Sequence, residues 1–178
     1  MSLCAGRLLL VPTRDTTTLH SLARFVVTGL GSGLMPLAPG TSGSLAAAGL
    51  AWLMVHIWGI AALWLGLLFL LPVACWSTCI ILPSEQEPDP GWIVVDEWLG
   101  QWLTLAIALF TLPASWPVFA GAFVTFRFFD ILKPGPIRKL EHTGPAWWTI
   151  HADDLLAGVF AGLTMIAGGV VLDRLLQG

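Results

Sequence analysis

Two adjacent carboxylates, Asp96 and Glu97, stand in the stretch Asp89-Pro-Gly-Trp-Ile-Val-Val-Asp-Glu-Trp-Leu-Gly-Gln-Trp-Leu-Thr104, at the threshold of a run with no further charge until Arg127. An unpaired carboxylate moved into hydrocarbon costs several kcal/mol or takes up a proton, so two together at an apolar boundary imply a cation held between them and other groups. A second acidic pair, Asp153 and Asp154, precedes another apolar run in His151-Ala-Asp-Asp-Leu-Leu-Ala-Gly158. Helix capping and the macrodipole account for one such Asp, but not for two so close to hydrocarbon. Between these pairs, Arg127, Asp130 and Lys133 recur every three residues in Phe126-Arg-Phe-Phe-Asp-Ile-Leu-Lys-Pro-Gly-Pro-Ile-Arg138. On a helix they share a face, as a catalytic stripe or as an interfacial anchor with an internal ion pair.

Asp96, Glu97, Asp130, Asp153 and Asp154 thus form an oxygen-only set at membrane boundaries, matched by Arg127, Lys133 and Arg138. Such a set suits Mg²⁺, which accepts few carboxylates and keeps water and substrate phosphate in its shell. His142 and His151 raise zinc as an alternative, but no H-x-x-x-H or Cys/His cluster supports it. Basic residues beside a magnesium site are arranged for phosphate-ester chemistry, where catalysis is largely positioning and charge neutralisation.

A Gly- and Pro-rich loop, Thr28-Gly-Leu-Gly-Ser-Gly-Leu-Met-Pro-Leu-Ala-Pro-Gly-Thr-Ser-Gly-Ser-Leu45, supplies the remaining polar groups. It is not a dinucleotide fingerprint, since no strand precedes it and Pro36 and Pro39 follow where that motif's helix should begin. Backbone N–H groups and hydroxyls at Gly31, Ser32 and Thr41 are candidates for phosphate contact; the alternative is a flexible re-entry loop.

The elements that must position these groups are membrane helices. Of 178 residues, 56% are hydrophobic and 11% charged, with mean hydropathy +0.82, against roughly 25% charged in soluble domains. The net charge of −3, with no basic tract, argues against nucleic acid as a partner and leaves a phospholipid in the bilayer as the natural ligand. Cys75 and Cys79 are read as packing residues. The apolar run after Arg7 is too short for a cleaved leader, so residues 1–20 are expected to be a poorly ordered lead on the cytoplasmic side and 21–178 a single membrane-embedded domain.

No Asp, Glu, Lys or Arg lies between Arg24 and Glu85, which predicts a short helix over His20–Val27 and spans over Ser44–Trp58 and Ile60–Leu82. The uncharged interval after Glu97, about 29 residues holding Pro113 and Pro117, reads as one long span or two short helices; convergence of the polar segments on one face favours the pair. A final span is expected over Leu155–Leu172. The fold expected is an all-α polytopic bundle of four to five membrane helices. Its polar face, including the Gly/Pro-rich loop, is cytoplasmic by the distribution of Arg and Lys.

The motifs Gly29-Leu-Gly-Ser-Gly-Leu with Pro36, Ala38-Pro-Gly-Thr41 and Gly43-Ser-Leu45, then Asp89-Pro-Gly with Val95-Asp-Glu97 and Gly100, then Phe126-Arg-Phe-Phe-Asp130 with Lys133-Pro and Pro136-Ile-Arg138, then Asp153-Asp154 with Ala157-Gly158, resemble the phosphatidylglycerophosphatase A family over roughly residues 20–165. The resemblance implies a magnesium-dependent, multi-pass phosphatase of the bacterial inner membrane, which converts phosphatidylglycerophosphate to phosphatidylglycerol. Under it, Asp96, Glu97, Asp130 and Asp154 are catalytic and, with Asp153, ligate the metal, while Arg127, Lys133, Arg138 and the Gly31, Ser32 and Thr41 loop hold phosphate. Whether water or an aspartate attacks phosphorus stays open. The sequence departs from the family pattern at Gly135, where a bulky aromatic is frequent, and over residues 143–152. A small transporter with intramembrane carboxylates lacks the internal repeat such proteins commonly carry, and a CDP-alcohol-type head-group transferase lacks its run of aspartates.

Overall fold

A computed structural model describes residues 14–87, 89–140 and 144–177. Most of the expected lead over 1–20, and His142, lie outside these residues. Seven α-helices follow in order: α1 Arg14–Val27, α2 Pro39–Trp58, α3 Ala61–Ile81, α4 Val95–Ala108, α5 Trp116–Leu132, α6 Pro136–Leu140 and α7 Ala146–Gln177. No strand occurs among the described residues. Helix α1 begins at Arg14, six residues before the expected start at His20.

Local sequence sets most boundaries. Pro39, at the first position of α2, has a fixed φ suited to a helix start, and Gly59 at φ 78° ends that helix by donating its N–H to Val55. Pro117 opens α5 in the same way. Among the described residues, three helices are long and apolar enough to cross a membrane: Pro39–Trp58, the run Ala61–Ser84, and Ala146–Gln177. Helices α4 and α5 have 14 and 17 residues. At 1.5 Å per residue they are roughly 21 and 25 Å long, less than the ~30 Å hydrocarbon core. They are the two short helices that convergence of the polar segments favoured, joined through residues 109–115.

Helix α4 is the hub, packed against α2, α3, α5 and α7 and buried along nearly its whole length. Its crossing with α7 is a backbone-to-backbone contact. A Cβ on Gly158 would stand 2.5 Å from the Gly100 carbonyl, and one on Gly162 would stand 2.7 Å from Ile107 Cβ. Thr104 Oγ1 donates to the Gly100 carbonyl at 2.8 Å and lies 3.3 Å from that of Gly158. Small residues thus replace the apolar driving force that lipid cannot supply and let two main chains touch. The same approach brings the start of α4 beside the middle of α7.

The final helix is longer than expected. It starts at Ala146 rather than Leu155, so Asp153 and Asp154 lie two turns inside it and are not capping residues. Cys75 is a free thiol, whereas Cys79 takes part in a disulfide, so packing is not the only role of Cys79.

Candidate active site

Asp96 and Glu97 occupy the first turn of α4, and the close α4–α7 crossing sets Asp154 opposite them. One carboxylate oxygen from each of the three lies within 4.8 Å of the other two. Asp96 and Asp154 are 7% and 4% exposed, so water cannot screen their charges. Glu97 Oε2 is buried without a hydrogen-bond partner. The pair at the start of α4 stands outside the three apolar spans. There, burial first, and then the charges of Glu97, Asp154 and Asp89, push the Asp96 carboxyl well above the usual carboxylate range. Burial raises Glu97 as well. Three crowded carboxylates with an orphaned oxygen, and among the described residues no nitrogen or sulfur donor grouped with them, fit a hard divalent cation such as Mg²⁺.

The other two expected ligands are differently engaged. Asp130 is ion-paired with Arg127 one turn earlier on α5, and Arg127 Nη1 also lies 3.9 Å from Glu97 Oε1. Asp153 accepts from Lys133 Nζ at 2.5 Å. The expected stripe of Arg127, Asp130 and Lys133 on one helical face therefore splits. Lys133 sits past the last turn of α5 in the left-handed region, φ 43° and ψ 57°, because Pro134 cannot continue the helix, and its side chain crosses to α7.

The Gly/Pro-rich loop divides in the same manner. The N–H of Gly31 is used within the loop, donating to the Thr28 carbonyl at 3.1 Å, and Ser32 Oγ donates to Gly29 at 2.7 Å and accepts from Trp98 Nε1 at 3.3 Å. These two residues shape the loop rather than offer donors outward. Gly33 and Gly43 admit Val94 at distances that a Cβ would forbid. The start of α2 is the part that reaches the site. A Cβ on Gly40 would collide with Glu97 Oε1 and stand 3.2 Å from Arg127 Nη1. Ser44 Oγ donates to the Gly40 carbonyl at 2.8 Å and receives Arg127 Nη1 at 3.4 Å. Ala38 provides no side-chain cap, so the N–H groups of Gly40 and Thr41 in the first turn of α2 lack a capping acceptor.

Arg138 is exposed on α6, and among the described residues no ion pair joins it to the carboxylates. His151 is fully buried with Nε2 3.1 Å from Thr78 Oγ1 on α3, so its imidazole is directed to α3 and not into the acidic cluster. Two residues escaped the sequence reading. Gly40 was hidden among many loop glycines, and only its contact with Glu97 and Arg127 singles it out. Gln101, one turn after Glu97, is fully buried with neither amide atom hydrogen-bonded, and nothing in its sequence context marks it.

The family described as Phosphatidylglycerophosphatase A matches residues 25–168. A protein of that name from Haemophilus influenzae is 37% identical over 159 residues, covering 88% of this chain and 93% of the relative. Its namesake from Escherichia coli is 38% identical over 144 residues, 79% of this chain and 80% of the relative. A Bacteroides thetaiotaomicron protein, provisionally named a phosphatidylinositol-3-phosphatase, is 35% identical over 150 residues, 75% of this chain and 85% of the relative. No solved structure matches the chain.

Proposed function

Because the chain belongs to the phosphatidylglycerophosphatase A family, we propose that it hydrolyses the terminal phosphomonoester of phosphatidylglycerophosphate to phosphatidylglycerol and phosphate, with Mg²⁺ as cofactor. The observation that carries this reading is the convergence of Asp96, Glu97 and Asp154 beside Arg127 and the open start of α2.

In this reading Asp96, Glu97 and Asp154 hold the metal. Bound Mg²⁺ supplies charge neutralisation on the phosphate oxygens. Arg127 and the N–H groups of Gly40 and Thr41 orient the terminal phosphate from the α2 side, and Lys133 approaches it from the α7 side. Asp130 fixes the Arg127 guanidinium and Asp153 fixes Lys133, so both cations are held before substrate arrives. Arg138 contributes through the basic potential of the face rather than by contact.

Placement in the bacterial inner membrane with the site on the cytoplasmic face is part of the same proposal. It is supported by the three apolar helices and by Arg24, Arg127, Lys133, Arg138 and Lys139 at the polar segments. Purified protein in detergent is expected to release phosphate from phosphatidylglycerophosphate, to stop on EDTA treatment and to resume with added Mg²⁺. Phosphatidylinositol 3-phosphate, offered in parallel, is expected to be the poorer substrate. Full turnover after complete metal removal would refute the metal assignment, and liposomes that transport a solute while no lipid loses phosphate would refute the phosphatase itself.

A further inference from the structure

Beyond the phosphate and metal groups, a cavity of about 270 Å³ opens between α5, the turn after it and α7, lined by Phe129, Pro134, Gly135, Pro136 and Phe160. Its walls are carbon, and its floor is the stacked pair Phe129 and Phe160, with ring centroids 5.9 Å apart and planes inclined by 23°. Gly135 keeps it open: its φ is +55°, and a Cβ there would meet no atom within 4 Å. An aqueous occupant would find no polar partner, so water is a poor filler.

The residues lining the cavity adjoin those of the proposed phosphate site along α5 and α7. Lys133, whose Nζ reaches Asp153, is joined to the lining residue Pro134 by one peptide bond. Phe160 lies seven residues beyond Asp153 on α7, which is about 10 Å further along the helix. The neighbouring outward positions Phe128, Ile131, Leu132 and Leu163 are exposed and apolar, as on a face turned to lipid. A lipid whose head-group phosphate lies between Arg127 and Lys133 must run its hydrocarbon down this side of the protein. The recess between Phe129, Gly135 and Phe160 lies on that side.

We propose that the cavity holds the ester-proximal part of one acyl chain of the lipid substrate, making Gly135, Phe129 and Phe160 determinants of chain recognition; this rests on the lipid phosphatase reading above. The recess and Lys133 together hold the substrate at its acyl end and at its terminal phosphate, so the scissile phosphomonoester is presented at one depth.

The test uses the full-length protein in nanodiscs with a phosphatidylglycerophosphate probe carrying a diazirine near one acyl ester. Irradiation is expected to label Phe129, Phe160 or the 134–136 turn in preference to the bilayer-facing sides of α2 and α3, and Gly135→Trp to lower that labelling. The kcat/KM ratio for the dibutanoyl substrate over its deacylated head group is expected to fall about tenfold in Gly135→Trp, the worth of roughly two methylenes leaving the recess. Trp at a left-handed φ is strained, so Phe160→Ala, which removes the floor, serves as a second variant with the same expected direction. Labelling spread evenly over the lipid-facing helices, or a ratio unchanged in either folded variant, would overturn the proposal. Labelling needs no turnover, so a failure of every lipid to release phosphate strikes the phosphatase reading, whereas uniform labelling strikes the cavity.

Discussion

The trio Asp96, Glu97 and Asp154 and the neighbouring pairs Arg127–Asp130 and Lys133–Asp153 answer one electrostatic problem in opposite ways. Each pair is neutral within itself, and burial is offset by a partner on hand. The trio packs like charges and leaves Glu97 Oε2 without a donor. An arrangement unfavourable in isolation, yet built on a backbone-to-backbone helix crossing, is suited to a cation from outside the chain. The pairs, by contrast, hold side chains in place. The two regions meet at Arg127, which serves Asp130 and lies 3.9 Å from Glu97.

Neutralising one member tests that contrast most severely. Asp96→Asn or Asp154→Asn is expected to lower kcat by about a thousandfold or more while the protein still inserts and elutes as wild type, because a preorganised charge is lost where it matters most. Near-normal phosphate release would reduce the trio to a structural cluster. A tenfold-smaller loss, about a hundredfold, is expected for Lys133→Gln, seen mainly in KM for a short-chain soluble substrate. Asp153→Asn should cost less again, on the order of tenfold, because Lys133 loses an anchor but keeps its charge. If Asp153→Asn instead matched Asp154→Asn, the division into trio and pairs would fail. Gly158→Ala acts through the crossing rather than the charges. It is expected to destabilise by about 1–3 kcal/mol, read as a lowered unfolding temperature in detergent, with activity falling in step. The smallest effect, below about threefold, is expected for Arg138→Gln, which touches neither region; a large loss would show that α6 closes over the site.

Much of this contrast could be read from the chain. The spacing of charges located both acidic pairs and the basic segment, while Pro113 and Pro117 left one span or two helices open, and the chain forms two, α4 and α5. What could not be read was partnership. Three-residue spacing put Arg127, Asp130 and Lys133 on one helical face, which holds only while the helix lasts; Pro134 ends it and frees Lys133 to swing to α7. The glycines and hydroxyls of residues 29–44 looked alike as phosphate donors, yet Gly31 and Ser32 are consumed by the loop itself, whereas Gly40 lies against Glu97. Asp153 and Asp154 were expected immediately before an apolar helix starting at Leu155, whereas that helix begins at Ala146 and holds both inside it.

The sequence by itself determined that this is a membrane-helical protein with carboxylates at the apolar boundaries, because the cost of charge in hydrocarbon leaves few places for them and makes each visible. Only the tertiary structure decided which carboxylates meet. Neighbouring residues on a helix diverge by about 100°, so Asp153 and Asp154 face different partners. Which one joins Asp96 and Glu97 is set by the depth at which Gly100 and Gly158 allow α4 and α7 to touch.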